Sequence, residues 1–156
     1  VPRALLVVVP VLAALGMSAA GCFTPAQRRQ ETLTRVVREY NDGLRWRRYE
    51  QVTPHLSAGE AERFLARTGK LGDDVEMADQ EVTSIRFADD QRRAAVTVEL
   101  TWYEVRRALV RRTVVEQDWR FEDGRWICAT QRRVRGEPFP LFPDSPPAAP
   151  AAPTAP

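Results

Sequence analysis

The apolar residues change their period near residue 75, and that change constrains the fold more than any other feature. Before it, Leu33, Val36, Val37, Tyr40 and Leu44 recur at third and fourth positions, with Arg28, Arg29, Glu31, Arg35, Arg38 and Glu39 mostly on the other side. That is one face of an amphipathic helix. After it, Ala94, Val96, Val98, Leu100 and Trp102 alternate with Ala95, Thr97, Glu99, Thr101 and Tyr103. That is the period of a strand whose two faces differ.

The punctuation supports this division. Gly43 weakens the first helix, Trp46 and Tyr49 carry the apolar pattern towards Val52, and Pro54 ends the segment. Ser57 and Glu60 have the spacing of a capping box, so a second helix is expected, burying Ala61, Phe64 and Leu65 and stopping at Gly69. Val75 to Phe87 reads as a strand in which Val82 is out of step with Ile85 and Phe87, an offset that a bulge would repair. Asp89-Asp90 turns the chain into the next strand. A third strand carries Val115, Trp119 and Phe121 on one face, Asp123-Gly124 is a hairpin signal, and Trp126 and Cys128 lie on a fourth strand. The expectation is an α+β domain, with N-terminal helices packed on a curved antiparallel sheet of about four strands.

The first 21 residues are not expected to join that domain. Arg3 precedes an apolar run from Ala4 to Leu15, and small residues follow up to Cys22. A basic start, an apolar stretch and small residues describe a secretory signal. The run is too short for a comfortable membrane span, which needs about 20 apolar residues, and Pro10 disfavours one. Residues 22–27 are then a tether, 28–136 a single domain and 137–156 a Pro/Ala-rich disordered tail holding eight of the twelve prolines. The start of that tail, Phe139 to Phe142, is apolar enough to lie on the domain or to meet a partner.

Ala19-Ala20-Gly21-Cys22 resembles the bacterial lipobox, with Ala19 where leucine is usual. The resemblance implies acylation of the Cys22 thiol by palmitate-like chains, cleavage before it, and attachment to a membrane of the bacterial cell envelope. Two or more acyl chains anchor stably. Residue 23 is Phe rather than Asp, which in enterobacterial-type sorting implies the outer membrane. A Cys22–Cys128 disulfide is the competing assignment for an exported chain. With Cys22 acylated, Cys128 is a lone thiol, expected in the core.

The run Tyr40, Asn41, Leu44, Trp46 and Tyr49, followed by long strands and the hairpin Trp119 to Trp126, resembles the nuclear-transport-factor-two-like superfamily. That is the cone-shaped fold also used by ketosteroid isomerase. The resemblance covers roughly residues 28–135 and implies a sheet wrapped round a helix with a cavity at the wide end. Some members are enzymes, and many only bind or scaffold.

Chemistry is sparse. His55 stands alone in a turn, and one histidine with one free cysteine does not make a zinc site, so neither metal nor cofactor is expected. An isomerase needs a carboxylate in an apolar pocket and a donor for the enolate oxygen. The nominal candidates are Asp79, Glu99 and Asp118 as base and Tyr103 as donor, with Glu99 and Tyr103 on a face of the second strand expected to be wet. Trp46, Trp102, Trp119 and Trp126 are core candidates that could line a pocket in a cone-shaped domain. The formal charge of +2 gives no strong pull on nucleic acid. Arginines at 106/107, 111/112 and 132/133/135 could form a basic patch, but Glu104, Glu116 and Asp118 are interleaved. The expected role is a non-enzymatic envelope lipoprotein binding a small apolar ligand or an envelope protein, with a small isomerase- or cyclase-type enzyme as the alternative.

Overall fold

Helix α1 begins where the sequence supplies a cap. In the computed structural model, which describes residues 24–144, Thr24 accepts a hydrogen bond from the Gln27 amide and donates its own amide to the Gln27 side chain. Pro25 follows at the first helical position, where its missing N–H is not needed. The helix, Pro25–Arg45, therefore starts inside the stretch expected to be tether. The segment expected to be a signal, Cys22 and residues 145–156 lie outside the described residues. α1 is 21 residues long, about 31 Å at 1.5 Å per residue.

Two short elements turn the chain back. α2 is Tyr49–Val52, followed by a 3-10 turn, Thr53–His55. Gly43 is required for this turn: a Cβ there would lie 2.8 Å from the Val52 side chain. Its cost in helix propensity is offset by the close approach it permits.

α3, Ala58–Thr68, departs from expectation in three ways. The Ser57–Glu60 capping box does not form. Ser57 gives its amide to the Cys128 carbonyl and its hydroxyl to the Ala129 carbonyl, because the outer edge of the last strand offers unpaired acceptors there. Glu60 turns inward instead. Leu65 is exposed while Phe64 carries the buried face, and the left-handed residue after the helix is Gly72, not Gly69.

The four strands β1 (Val75–Phe87), β2 (Arg93–Glu104), β3 (Leu109–Glu122) and β4 (Arg125–Gly136) form an antiparallel sheet in the order β1-β2-β3-β4, not closed into a barrel. With the three helices packed on it the domain is α+β. The offset of Val82 is a register shift between Val82 and Ser84, and a second shift lies between Met77 and Asp79. β3 and β4 carry further shifts, between Val114 and Val115 and between Asp118 and Trp119; such bulges bend a strand. Asp123 and Gly124 both have positive φ, as a two-residue type I′ hairpin needs.

The core lies between α1 and the inner face of the sheet. Leu33, Val37 and Tyr40 meet Val96, Val98, Leu100, Val115 and Trp119 there, with Tyr40 edge-on to Trp119 at 5.3 Å. Each large apolar side chain buried in this way contributes about 1.5–3 kcal/mol.

The domain does not end at residue 136. Gly136 has φ +85, and a side chain there would overlap the Arg112 carbonyl, so the chain reverses sharply. Residues 137–144, expected as the start of a disordered tail, then run back over the core. Phe139, Leu141 and Phe142 are buried, and the Arg133 amide donates to the Pro143 carbonyl. Three apolar side chains outweigh the polypeptide's freedom in this stretch, which proline has already reduced. The edge of β4 is thus covered by Leu56 and Ser57 on one half and by Pro143 and Asp144 on the other.

Candidate functional site

The carboxylates considered for catalysis do not meet in an apolar hollow. Glu99 faces Arg112 at 3.7 Å, Asp79 faces Arg45 at 3.3 Å, and Asp118 binds both Arg132 and the Thr130 hydroxyl. Glu116 joins Arg132 and Arg86 to the same network. Mixed ion pairs of this kind are the chemistry of a solvated sheet face. The Tyr103 hydroxyl donates to Glu76, and that carboxylate raises the tyrosine's pKa. Burial lowers that of His55, favouring the neutral ring. Among the described residues no group of three His, Cys, Asp or Glu side chains is placed to hold a metal ion, and no helix is long and apolar enough to cross a membrane.

The sequence reading missed the buried carboxylate. Glu60 is held by Arg63 at 2.9 Å and Arg67 at 2.6 Å, under the sheet edge. Beside it, the Tyr40 hydroxyl donates to Gln131 at 2.7 Å, and the Gln131 amide nitrogen and Arg67 Nε have no partner among the described residues. Burial pushes Tyr40 well above its usual pKa and does the same to the Cys128 thiol. The signal was present: Glu60, Phe64 and Arg67 stand at i, i+4 and i+7, on one stripe of the helix. Both oxygens of Glu60 are paired to guanidinium groups of its own helix, so the cluster is an ion-paired triad within α3 whose carboxylate lies on the buried face.

Three of the four tryptophans belong to the interior. Trp119 is wedged between Tyr40 and Gln117, which accepts its ring N–H. Trp126 donates to the Arg29 carbonyl and packs against Phe87 and Phe121. Trp102 donates to Thr113 and meets Phe139 at 5.1 Å. Trp46 is different. It is 60% exposed, just past the last turn of α1, with the Arg45 guanidinium over its ring.

Trp46 is not the only apolar side chain in water at that end. Val105, Leu109 and Val110 are also exposed, at the tip of the β2–β3 hairpin. Hydrogen bonds fix the arrangement. Arg47 reaches the Val75 carbonyl, Val75 pairs with Glu104, and Glu104 pairs with Leu109. The opposite end holds the start of α1, where Arg29 and Gln30 bond to Gln91 in the β1–β2 turn. The apolar tip therefore lies a full helix length from residue 24. It is rimmed by Arg106 and Arg107, each paired with an acid, Asp74 and Glu104 respectively.

Beneath the same end the buried segment 139–142 fills a groove between α1 and the sheet. Leu44, Tyr49, Leu71, Val75 and Met77 line it with Phe139 and Leu141, leaving a residual space of only about 10 Å³.

No protein-family model matches this chain, and no curated protein matches it. Among solved structures, the intermembrane space region of the chloroplast protein ARC6 is similar at a TM-score of 0.46 and 14% identity, over 67% of this chain and 95% of that one. A likeness at that level carries no argument about fold or function.

Proposed function

We propose that this chain is a lipid-anchored protein of a bacterial cell envelope, held by Cys22, whose domain is a binding module rather than an enzyme. The anchor reading rests on the residues before Cys22 and the lipobox they resemble. The binding reading rests chiefly on one observation: Trp46 and, at the hairpin tip, Val105, Leu109 and Val110 are each exposed at the end of the domain farthest from residue 24. A short tether would hold the start of α1 near the membrane and turn that apolar end outward. Large apolar side chains left in water at one end of a domain, with a polar rim, mark interaction surfaces. The ion-paired acids speak against the isomerase alternative, since a general base needs an unpaired carboxylate in an apolar setting.

A photoreactive residue in place of Trp46 or Val110 tests this reading in the intact envelope. Discrete cross-linked products are expected from both positions, and none from a control at Arg35, which lies on the exposed face of α1. Equal cross-linking at all three positions, or none at any, would remove the apolar end from consideration as a binding surface.

A further inference from the structure

The segment Glu137 to Asp144 is held as a ligand is held. Its backbone bonds to the rest of the domain lie at its two ends, where the Glu137 amide donates to Arg112 and the Pro143 carbonyl accepts from Arg133. Between them the one backbone bond is internal, from Phe142 to Phe139. The Thr113 hydroxyl donates to the Glu137 carbonyl at the first end, and the rest of the hold is by side-chain insertion: Phe139 against Trp102, Phe142 stacked on Phe139, and Leu141 beside Leu44 and Leu71. Each end carries an acid clasped by an arginine, Glu137 by Arg111 and Asp144 by Arg133. Arg111 also lies over the ring of Trp102, so the cation sits at the mouth of the groove. Pro138, Pro140 and Pro143 pre-order the segment. Extended proline-spaced segments docking on aromatic-lined grooves are a general mode of peptide recognition, favoured because little chain entropy is lost.

We propose that this groove is a peptide-binding site and that residues 137–144 are its built-in competitor. The partner it fits is an extended segment with aromatic or aliphatic side chains spaced by proline and an acidic residue at each end. The inference rests on the binding-module reading above and adds a second site, the filled groove beneath the exposed apolar end, with its own partner class. A tethered occupant acts at an effective concentration in the mM range, so the unaltered chain should take up such a segment poorly. Loosening the clasps should open the groove without removing any core side chain.

The test uses the full chain and a labelled peptide of sequence Glu-Pro-Phe-Pro-Leu-Phe-Pro-Asp. The double variant Glu137→Lys, Asp144→Lys unclasps the internal segment while keeping its apolar residues. It should bind the peptide at least about tenfold more tightly than the unaltered chain, the tether's advantage having been weakened. A peptide with lysine at both ends should bind neither chain, and Trp102→Phe in the double variant should lower the affinity. If the double variant proves unstable, Phe142→Ala replaces it, and added peptide should raise its melting temperature. Equal binding to both chains, equal binding of a scrambled peptide, or a folded variant that binds nothing would each overturn the inference. The titration is done on purified chain, so its result is independent of acylation at Cys22 and of cross-linking in the envelope.

Discussion

At the scale of single residues, the polar groups in the core decide more than the apolar ones. Tyr40 is fully buried and its hydroxyl has one partner, the Gln131 side chain. Tyr40→Phe removes that donor and leaves Gln131 oxygen buried and unpaired. The expected loss is about 1–3 kcal/mol, the cost of an orphaned buried acceptor. Urea unfolding should show a lower midpoint with the same slope; an unchanged midpoint would mean that water already serves Gln131. Cys128 is fully buried, and burial raises its thiol pKa, so the nucleophilic thiolate is scarce. It should resist alkylation in the folded chain and react promptly in denaturant. Prompt reaction in the native state would show that α3 opens readily.

His55 supplies the pH dependence at this scale. Burial lowers its pKa from the ordinary 6.5, so the unfolded chain takes up the proton first. The stabilisation from the neutral ring is complete above 6.5 and is lost as pH falls through the lowered folded value. Melting temperature should therefore decline as pH falls below 6.5, and His55→Asn should flatten part of that decline. An identical profile in the variant would assign the decline to other groups. At the surface, Asp144 is held below its usual pKa by Arg133, so the C-terminal clasp loosens only in stronger acid.

At the scale of elements, the sequence was most informative where one periodicity governed a whole segment. β2 alternates without a break, and each of Ala94, Val96, Val98, Leu100 and Trp102 is buried as its position implies. Asp123-Gly124 specified its turn because few other dipeptides tolerate two positive φ values. Legibility failed where a side chain had two possible partners. Ser57 had a cap to make and a strand edge to satisfy, and the edge prevailed. Glu60, released from the cap, went to Arg63 and Arg67. The segment from 137 to 144 failed for a different reason. Its proline content marks an unstructured tail by composition, whereas its three apolar side chains bury against residues distant in the chain. No local pattern reports such a contact. Of the candidate site, the exposure of Trp46 was illegible too, since it continues the helical apolar pattern as a core residue would.

Gly136 is the hinge on which this last segment depends. Its positive φ and its contact with the Arg112 carbonyl leave no room for a side chain. Gly136→Ala should destabilise the domain by about 1–3 kcal/mol through backbone strain and should raise the susceptibility of residues 137–144 to protease. A variant as stable and as protected as the parent would show that the reversal adjusts at no cost.

At the scale of the whole molecule, the two ends of α1 divide the work. The start of the helix, capped by Thr24, stands two residues from Cys22. The far end carries the exposed tryptophan, the apolar hairpin tip and the filled groove. If the proposed anchor holds, a module tied down at one end and adhesive at the other would suit the holding of a partner near a membrane. The proposed location and the outward orientation of the apolar end depend on the anchor. The intact mass of the chain recovered from a membrane fraction, compared with Cys22→Ala, tests it most directly. The expected result is a chain beginning at residue 22 that carries added acyl mass, with both the added mass and the membrane attachment lost in the variant. A chain with no lipid on Cys22 would contradict it, return the Cys22–Cys128 disulfide to consideration, and leave the apolar end without an orientation.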